Sequence, residues 1–271
     1  MGIVEAIRQG KPIPVPVIDT HTHMGPSATG GEHQAFEDVE GVIELMDATG
    51  IDAICTAPMI FCKGYMERAN EYSAQLIEQY PGRIYANLAV CPHDGVDAVK
   101  RVVDKYGKHK GFVAMKFLTI YHGSPLREEY QYAIAFAQEA GCPLTFHYWG
   151  DKMLPDVKQV LEKYPKLKLI LAHQGGGVRE ATLKTIEVMK QCDRLYIDTC
   201  GSLQNSIDIW EMAQLAGEDR LVYGSDIHYM EPRYELGKIA FSGMPERVMK
   251  KIYAENYLRL LEGSQMDHIK L

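Results

Sequence analysis

The feature that most constrains the fold is an eightfold alternation of short apolar, β-prone runs with amphipathic helical stretches. The runs fall at residues 15–23, 51–59, 84–90, 112–118, 144–149, 167–173, 195–200 and 220–226. Helical spacing of apolar residues predicts helices at 36–49, 65–80, 95–106, 128–140, 155–164, 178–191, 205–216 and 245–261. In the first of these, Val39, Val42, Ile43 and Met46 share one face and Gly50 stops the helix; Pro81-Gly82 and Gly141-Cys142-Pro143 stop two others. Parallel strands need crossover connections, usually helical. A strand-helix unit repeated about every 25–35 residues therefore predicts an α/β fold, a single (β/α)8 TIM barrel occupying residues 1–271 as one domain. An open doubly wound sheet that binds a dinucleotide would carry G-x-G-x-x-G after its first strand, and that motif is absent there.

Composition narrows the class. Hydrophobic residues make up 46% and charged residues 24%, enough for a large core. The net charge of −7 comes from interspersed acids and bases, so no basic nucleic-acid footprint is visible. No apolar run approaches the ~18 residues of a membrane span and the start has no secretory core, which predicts a cytoplasmic protein with no membrane partner. The six cysteines form no C-x-x-C pair and are expected to be reduced, mostly buried thiols away from the functional centre.

Barrel active sites lie at the C-terminal ends of the strands, where the following loops converge. Residues with ligand chemistry occupy those ends. His21 and His23 close the first run, and because strand side chains alternate, both imidazoles point to one side. Lys116 lies near the end of the fourth run, His147 ends the fifth, His173 the sixth and Asp226 the eighth. A charge or an imidazole in such apolar surroundings costs several kcal/mol unless paired or metal-bound, so these positions predict a shared metal site. Residues 25–32 form a glycine-rich loop suited to gating it. Around the predicted mouth, Trp149, Arg179, His228 and Arg233 are candidate substrate contacts, the arginines as clamps for a carboxylate. Thr199 and Ser202 are candidates for a substrate hydrogen bond or a helix cap, and His33, His93, His109, His122 and His268 are expected at the surface.

Taken together, His21-Thr22-His23, His147, His173 followed by Gln174-Gly175-Gly176-Gly177, and Gly224-Ser225-Asp226 resemble the amidohydrolase superfamily. Within it, the chain is similar to the amidohydrolase-2 branch, which includes the aminocarboxymuconate-semialdehyde decarboxylase-like enzymes. Residues 255–261 resemble that branch's usual ending. The resemblance implies that His21, His23, His147 and Asp226 hold one divalent ion, most often zinc, with manganese the other option. It implies that His173 is an acid/base beside the ion. Lys116 is left between a bridge for a second metal and an ion-pairing or substrate-binding residue. The first expectation is a metal-dependent hydrolase of an amide, ester or lactone in a small molecule, with Asp226 taking the proton of an activated water. The alternative is non-oxidative decarboxylation of an unsaturated or aromatic acid, and Trp149, two residues after His147, is similar to a pattern among the decarboxylases. A third reading is a non-catalytic, metal-stabilised binding barrel. A homodimer is an open option on base rate.

Overall fold

The computed structural model describes residues 1–26, 38–201, 206–266 and 269–271, with only the backbone at 206–208. Its strands are β1 (Ile18–Thr22), β2 (Ala53–Thr56), β3 (Ile84–Val90), β4 (Phe112–Phe117), β5 (Pro143–Phe146), β6 (Lys168–Leu171), β7 (Leu195–Asp198) and β8 (Leu221–Val222). They pair in chain order, every pair parallel, and make one eight-stranded sheet. The seam between β8 and β1 is closed by backbone bonds: Thr20 N–H donates to Tyr223 O at 3.0 Å and Asp226 N–H to His21 O at 2.8 Å, and Thr22 bridges to Ile227. With helices between the strands, this is the expected (β/α)8 barrel.

Alternation along each strand divides its side chains between barrel interior and helix layer. In β4, Lys116 reaches His21 of β1, while Phe117 stacks on Tyr130 of the following helix, with ring centroids 4.1 Å apart. That helix, Glu128–Ala140, presents Tyr130, Ala133, Ile134 and Ala137 to the core and ends at Gly141, whose φ of 68° is the left-handed C-cap conformation that glycine adopts without a Cβ clash. No helix among the described residues is long and apolar enough to cross a membrane.

The structure departs from the sequence expectation mainly at strand ends. The regular strand ends at Phe146 in the run expected at 144–149 and at Val222 in that expected at 220–226. The residues that follow still make backbone bonds to the neighbouring strand, His147 N–H to Phe117 O at 2.8 Å and Asp226 N–H to His21 O at 2.8 Å. Further helices beyond those expected include Ile3–Arg8 and Pro232–Ala240. The expected terminal helix is interrupted by a π turn, Lys251–Glu255, whose Ile252 carbonyl accepts the N–H of Tyr223 at 2.9 Å. The wider turn thus serves a strand end. Most of the expected gating loop (27–32), together with His33, Ser202 and His268, lies outside the described residues.

Candidate metal centre

Closure of the seam brings Asp226 against His21 in β1 and His23 just after it. His23 Nδ1 lies 2.8 Å from the Ala57 carbonyl, which can only accept, so this nitrogen carries the proton and Nε2 the lone pair. His21 Nδ1 lies 2.7 Å from Asp198 Oδ2, which sets the same tautomer there. The two Nε2 atoms are 3.1 Å apart, and His23 Nε2 is 3.2 Å from Asp226 Oδ1. The three donor atoms lie within 4.8 Å of one another. Two nitrogens bound to one ion at about 2.0–2.1 Å, at angles between square and tetrahedral, stand about 2.8–3.4 Å apart. Converging lone pairs at this spacing fit one divalent ion, zinc or manganese.

An amine already stands at this point. Lys116 Nζ donates to His21 Nε2 at 2.7 Å from inside the barrel. Burial lowers its proton affinity against the opposing pull of Asp198, Cys200 and Asp226. Burial, with the Lys116 charge behind it, likewise holds His21 below its ordinary range. Burial alone would push the Asp226 carboxyl up, but the surrounding imidazoles of His23, His21 and His173 outweigh that and hold it well below the usual carboxylate range. Asp226 itself has φ 66°, a left-handed conformation uncommon outside glycine and asparagine, as part of the turn that follows β8.

His147 is not in the tight group of His21, His23 and Asp226. Its Nδ1 lies 3.2 Å from His173 Nε2, and the two rings pack edge to face. His147, His173 and Asp226 share a cleft of about 330 Å³ with His23, Met59, Ile120, Tyr121, Trp149 and Tyr229. Burial, then the neighbouring His173 and Lys116, push His147 well below its ordinary range; burial brings His173 down to about 4. His173 and Gln174 both have left-handed backbones, with φ of 54° and 58°. The strained turn is held by the His173 N–H on Asp198 Oδ1 at 2.9 Å and by Gln174 Nε2 on the Thr199 and Gly201 carbonyls at 3.1 and 2.7 Å. At Gly177 a Cβ would stand 2.7 Å from the Trp149 ring, so this glycine lets the indole lie over the turn and reach His173.

Asp198, at the end of β7, has no counterpart in the sequence reading, although it ends an apolar run just as His173 does. One of its oxygens orients His21 and the other holds the His173 backbone. Cys200 stands behind the pair, 3.1 Å from Asp198 Oδ1 and 3.1 Å from His21 Nδ1. The expectation that no cysteine approaches the centre is thereby corrected. Burial and the Asp198 charge keep this thiol protonated, so it supports the carboxylate as a donor. Asp19, also unremarked in the sequence, lies two residues before His21 and accepts the N–H of Ser225 at 3.0 Å; burial pushes its carboxyl up to about 7. Replacing Asp198 by asparagine removes the charge that orients the His21 ring. It is expected to weaken metal affinity about 10–100-fold, measured by chelator competition; an unchanged affinity would mean that His21 is oriented without it.

The remaining candidates lie elsewhere. The Arg179 side chain extends to Glu211, 2.5 Å away on the next helix, and Arg233 folds back on Glu231 at 2.8 Å. Neither lines the cleft, because each guanidinium is drawn to a carboxylate outside it. His228 is buried, not exposed at the mouth; neither ring nitrogen has a hydrogen-bond partner among the described residues, and burial pushes the ring down to about 4. His122, expected at the surface, is buried as well.

Fold and site together define a parallel barrel whose C-terminal face gathers imidazoles and a carboxylate around a cation position. Residues 18–262 match the Amidohydrolase family (Amidohydro_2), and the chain belongs to that family. Comparison with curated proteins gives no match. Among solved structures, the chain is similar to a 2,6-dihydroxybenzoate decarboxylase from Rhizobium, at 16% identity over 92% of this chain and 99% of that one, with a TM-score of 0.70. It is similar to a 5-carboxyvanillate decarboxylase from Novosphingobium aromaticivorans, solved with manganese and a nitrobenzoic acid, at 16% identity over 94% and 97% of the two chains and a TM-score of 0.70. A putative amidohydrolase from Staphylococcus aureus matches at 17% identity over 92% and 100%, with a TM-score of 0.66.

Proposed function

We propose that this protein is a metal-dependent decarboxylase of an aromatic or conjugated unsaturated carboxylic acid. The observation that carries the reading is the cleft. Its walls are the rings of Tyr121, Trp149 and Tyr229, and its floor is the His147–His173 pair beside Asp226. Flat walls of this kind stack on a conjugated ring or diene. Among the described residues its lining includes no lysine or arginine, so a substrate carboxylate has to find its positive charge at the floor. Several of the barrels that this chain resembles in shape are decarboxylases of hydroxylated aromatic acids, which supports the same reading.

In this reading His21, His23, Asp226 and His147 would hold the ion, with the Lys116 amine beside His21. The ion supplies Lewis acidity at the end of the cleft. His173 delivers a proton from Nε2 to the carbon that bears the carboxylate. The electron pair of the C–C bond returns to the conjugated system, carbon dioxide leaves, and His173 recovers a proton through the open cleft. Burial alone leaves His173 neutral at physiological pH, and a carboxylate placed against it raises its proton affinity where the proton is needed.

Hydrolysis of an amide, ester or lactone is the second reading. Asp226 favours it, because a carboxylate held unprotonated between His21 and His23 is placed to take a proton from water. One experiment separates the readings. Full-length protein loaded with zinc or manganese is offered hydroxylated benzoic acids, conjugated unsaturated acids, lactones, esters and amides, with carbon dioxide and acid release followed together. Carbon dioxide from an acid is the expected result. Acid from a lactone or ester without carbon dioxide would replace it with hydrolysis, and a small molecule bound and returned unchanged would favour the non-catalytic barrel.

A further inference from the structure

A second group of metal-type donors stands apart from the centre, on the rim of the barrel. Cys91 is the first residue after β3, His93 lies in the short helical turn Pro92–Asp94 that follows, and His122 ends the helical turn Thr119–His122 after β4. We propose that Cys91, His93 and His122 form a second cation site, for an ion of the zinc type that accepts a thiolate, and that this ion anchors one wall of the cleft.

Three observations lead there. First, the sulfur and the two ring nitrogens lie within 4.8 Å of one another, and Cys91 Sγ stands 3.5 Å from His122 Nε2. Zinc bonds of about 2.3 Å to sulfur and 2.0 Å to nitrogen, at a tetrahedral angle, separate the two atoms by about 3.5 Å. Second, the other His122 nitrogen, Nδ1, is 3.0 Å from the Tyr130 hydroxyl. Such an outer partner fixes the ring of a metal-bound histidine and sets its tautomer. Without an ion, Nε2 faces the Cys62 carbonyl at 3.2 Å and can donate to it; with one, the proton sits on Nδ1 and points to Tyr130. Third, Cys91 and His122 are buried while His93 is exposed, so an ion reaches the pair from solvent by way of His93.

The donors also separate this site chemically from the centre. A thiolate suits zinc and disfavours manganese, whereas the imidazole and carboxylate donors of the centre accept either. Burial pushes the free Cys91 thiol up to about 11, so without an ion it is an inert thiol, and binding releases its proton. None of the three residues lines the cleft, but Ile120 and Tyr121, immediately before His122, do. An ion on His122 therefore holds the turn that carries two cleft-lining side chains.

The test uses cobalt(II), added alone to metal-free full-length protein, because cobalt bound to a thiolate absorbs strongly in the near ultraviolet and cobalt on nitrogen and oxygen donors does not. Two bound equivalents are expected, one of which gives the thiolate band. Cys91→Ser should abolish the band. His93→Ala, a change at an exposed position that leaves the core intact, should weaken that equivalent at least about tenfold. Cys200→Ser and His147→Ala should leave the band in place, since those residues belong to the centre. No band in the wild-type protein, or a band that survives Cys91→Ser and disappears with Cys200→Ser, overturns the proposal whatever reaction the centre performs.

Discussion

Replacing His173 by asparagine is expected to lower turnover about 10²–10⁴-fold, the usual worth of a positioned proton donor, with KM and bound metal little changed. The choice of asparagine matters. His173 sits at φ 54°, and asparagine is among the few residues that adopt this conformation readily, so the turn on Asp198 and Gln174 survives while the transferable proton is lost. Steady-state kinetics on the acid identified by the carbon dioxide screen, together with metal analysis of the variant, check it. A turnover within about tenfold of wild type would take His173 out of the proton path and pass the role to Asp226.

The second large effect concerns stability. Lys238 and Glu235 are both buried, one turn apart on the helix Pro232–Ala240, with Nζ 2.5 Å from the carboxylate. The ammonium also donates to the Thr199 and Gly201 carbonyls at 3.0 and 2.8 Å, the chain on either side of Cys200. Lys238→Met keeps most of the stem, strands the carboxylate and leaves two carbonyls without a donor. Breaking a buried pair in this way costs about 3–5 kcal/mol, measured by urea unfolding.

The cost should depend on pH in a stated sense. Burial pushes Glu235 up to about 7 from an ordinary 4.5, against the opposing pull of Lys238. The folded protein therefore holds that proton more tightly than the unfolded chain does. The stability this supplies is complete below the ordinary carboxylate value and is lost as the pH rises through about 7. Without the ammonium the folded carboxyl titrates higher still, so the deficit of the variant should widen above neutrality. Adding Glu235→Leu to Lys238→Met should recover most of the loss. A deficit independent of pH would place the effect in the lost carbonyl contacts and not in the charge.

What could be read from the chain alone follows from one-dimensional periodicities. The eightfold alternation, the helix stops at Gly50 and Gly141, and the shared direction of His21 and His23 depend on patterns of two and 3.6 residues that any local stretch displays. Strand-end chemistry in apolar runs was legible for the same reason, since an imidazole or a carboxylate there stands out against its neighbours. Which ends meet is a different matter. Asp198 orients His21 across 177 residues of sequence, and nothing local to L-Y-I-D signals that its partners are the His21 ring and the His173 backbone. The same holds for Cys200 behind them, for His147 leaning on His173, and for Arg179 and Arg233 turning to Glu211 and Glu231. These pairings are decided by closure of the β8–β1 seam, by the register of neighbouring strands and by the turn each loop makes as it leaves the sheet. They are properties of the folded barrel that no spacing along the sequence encodes.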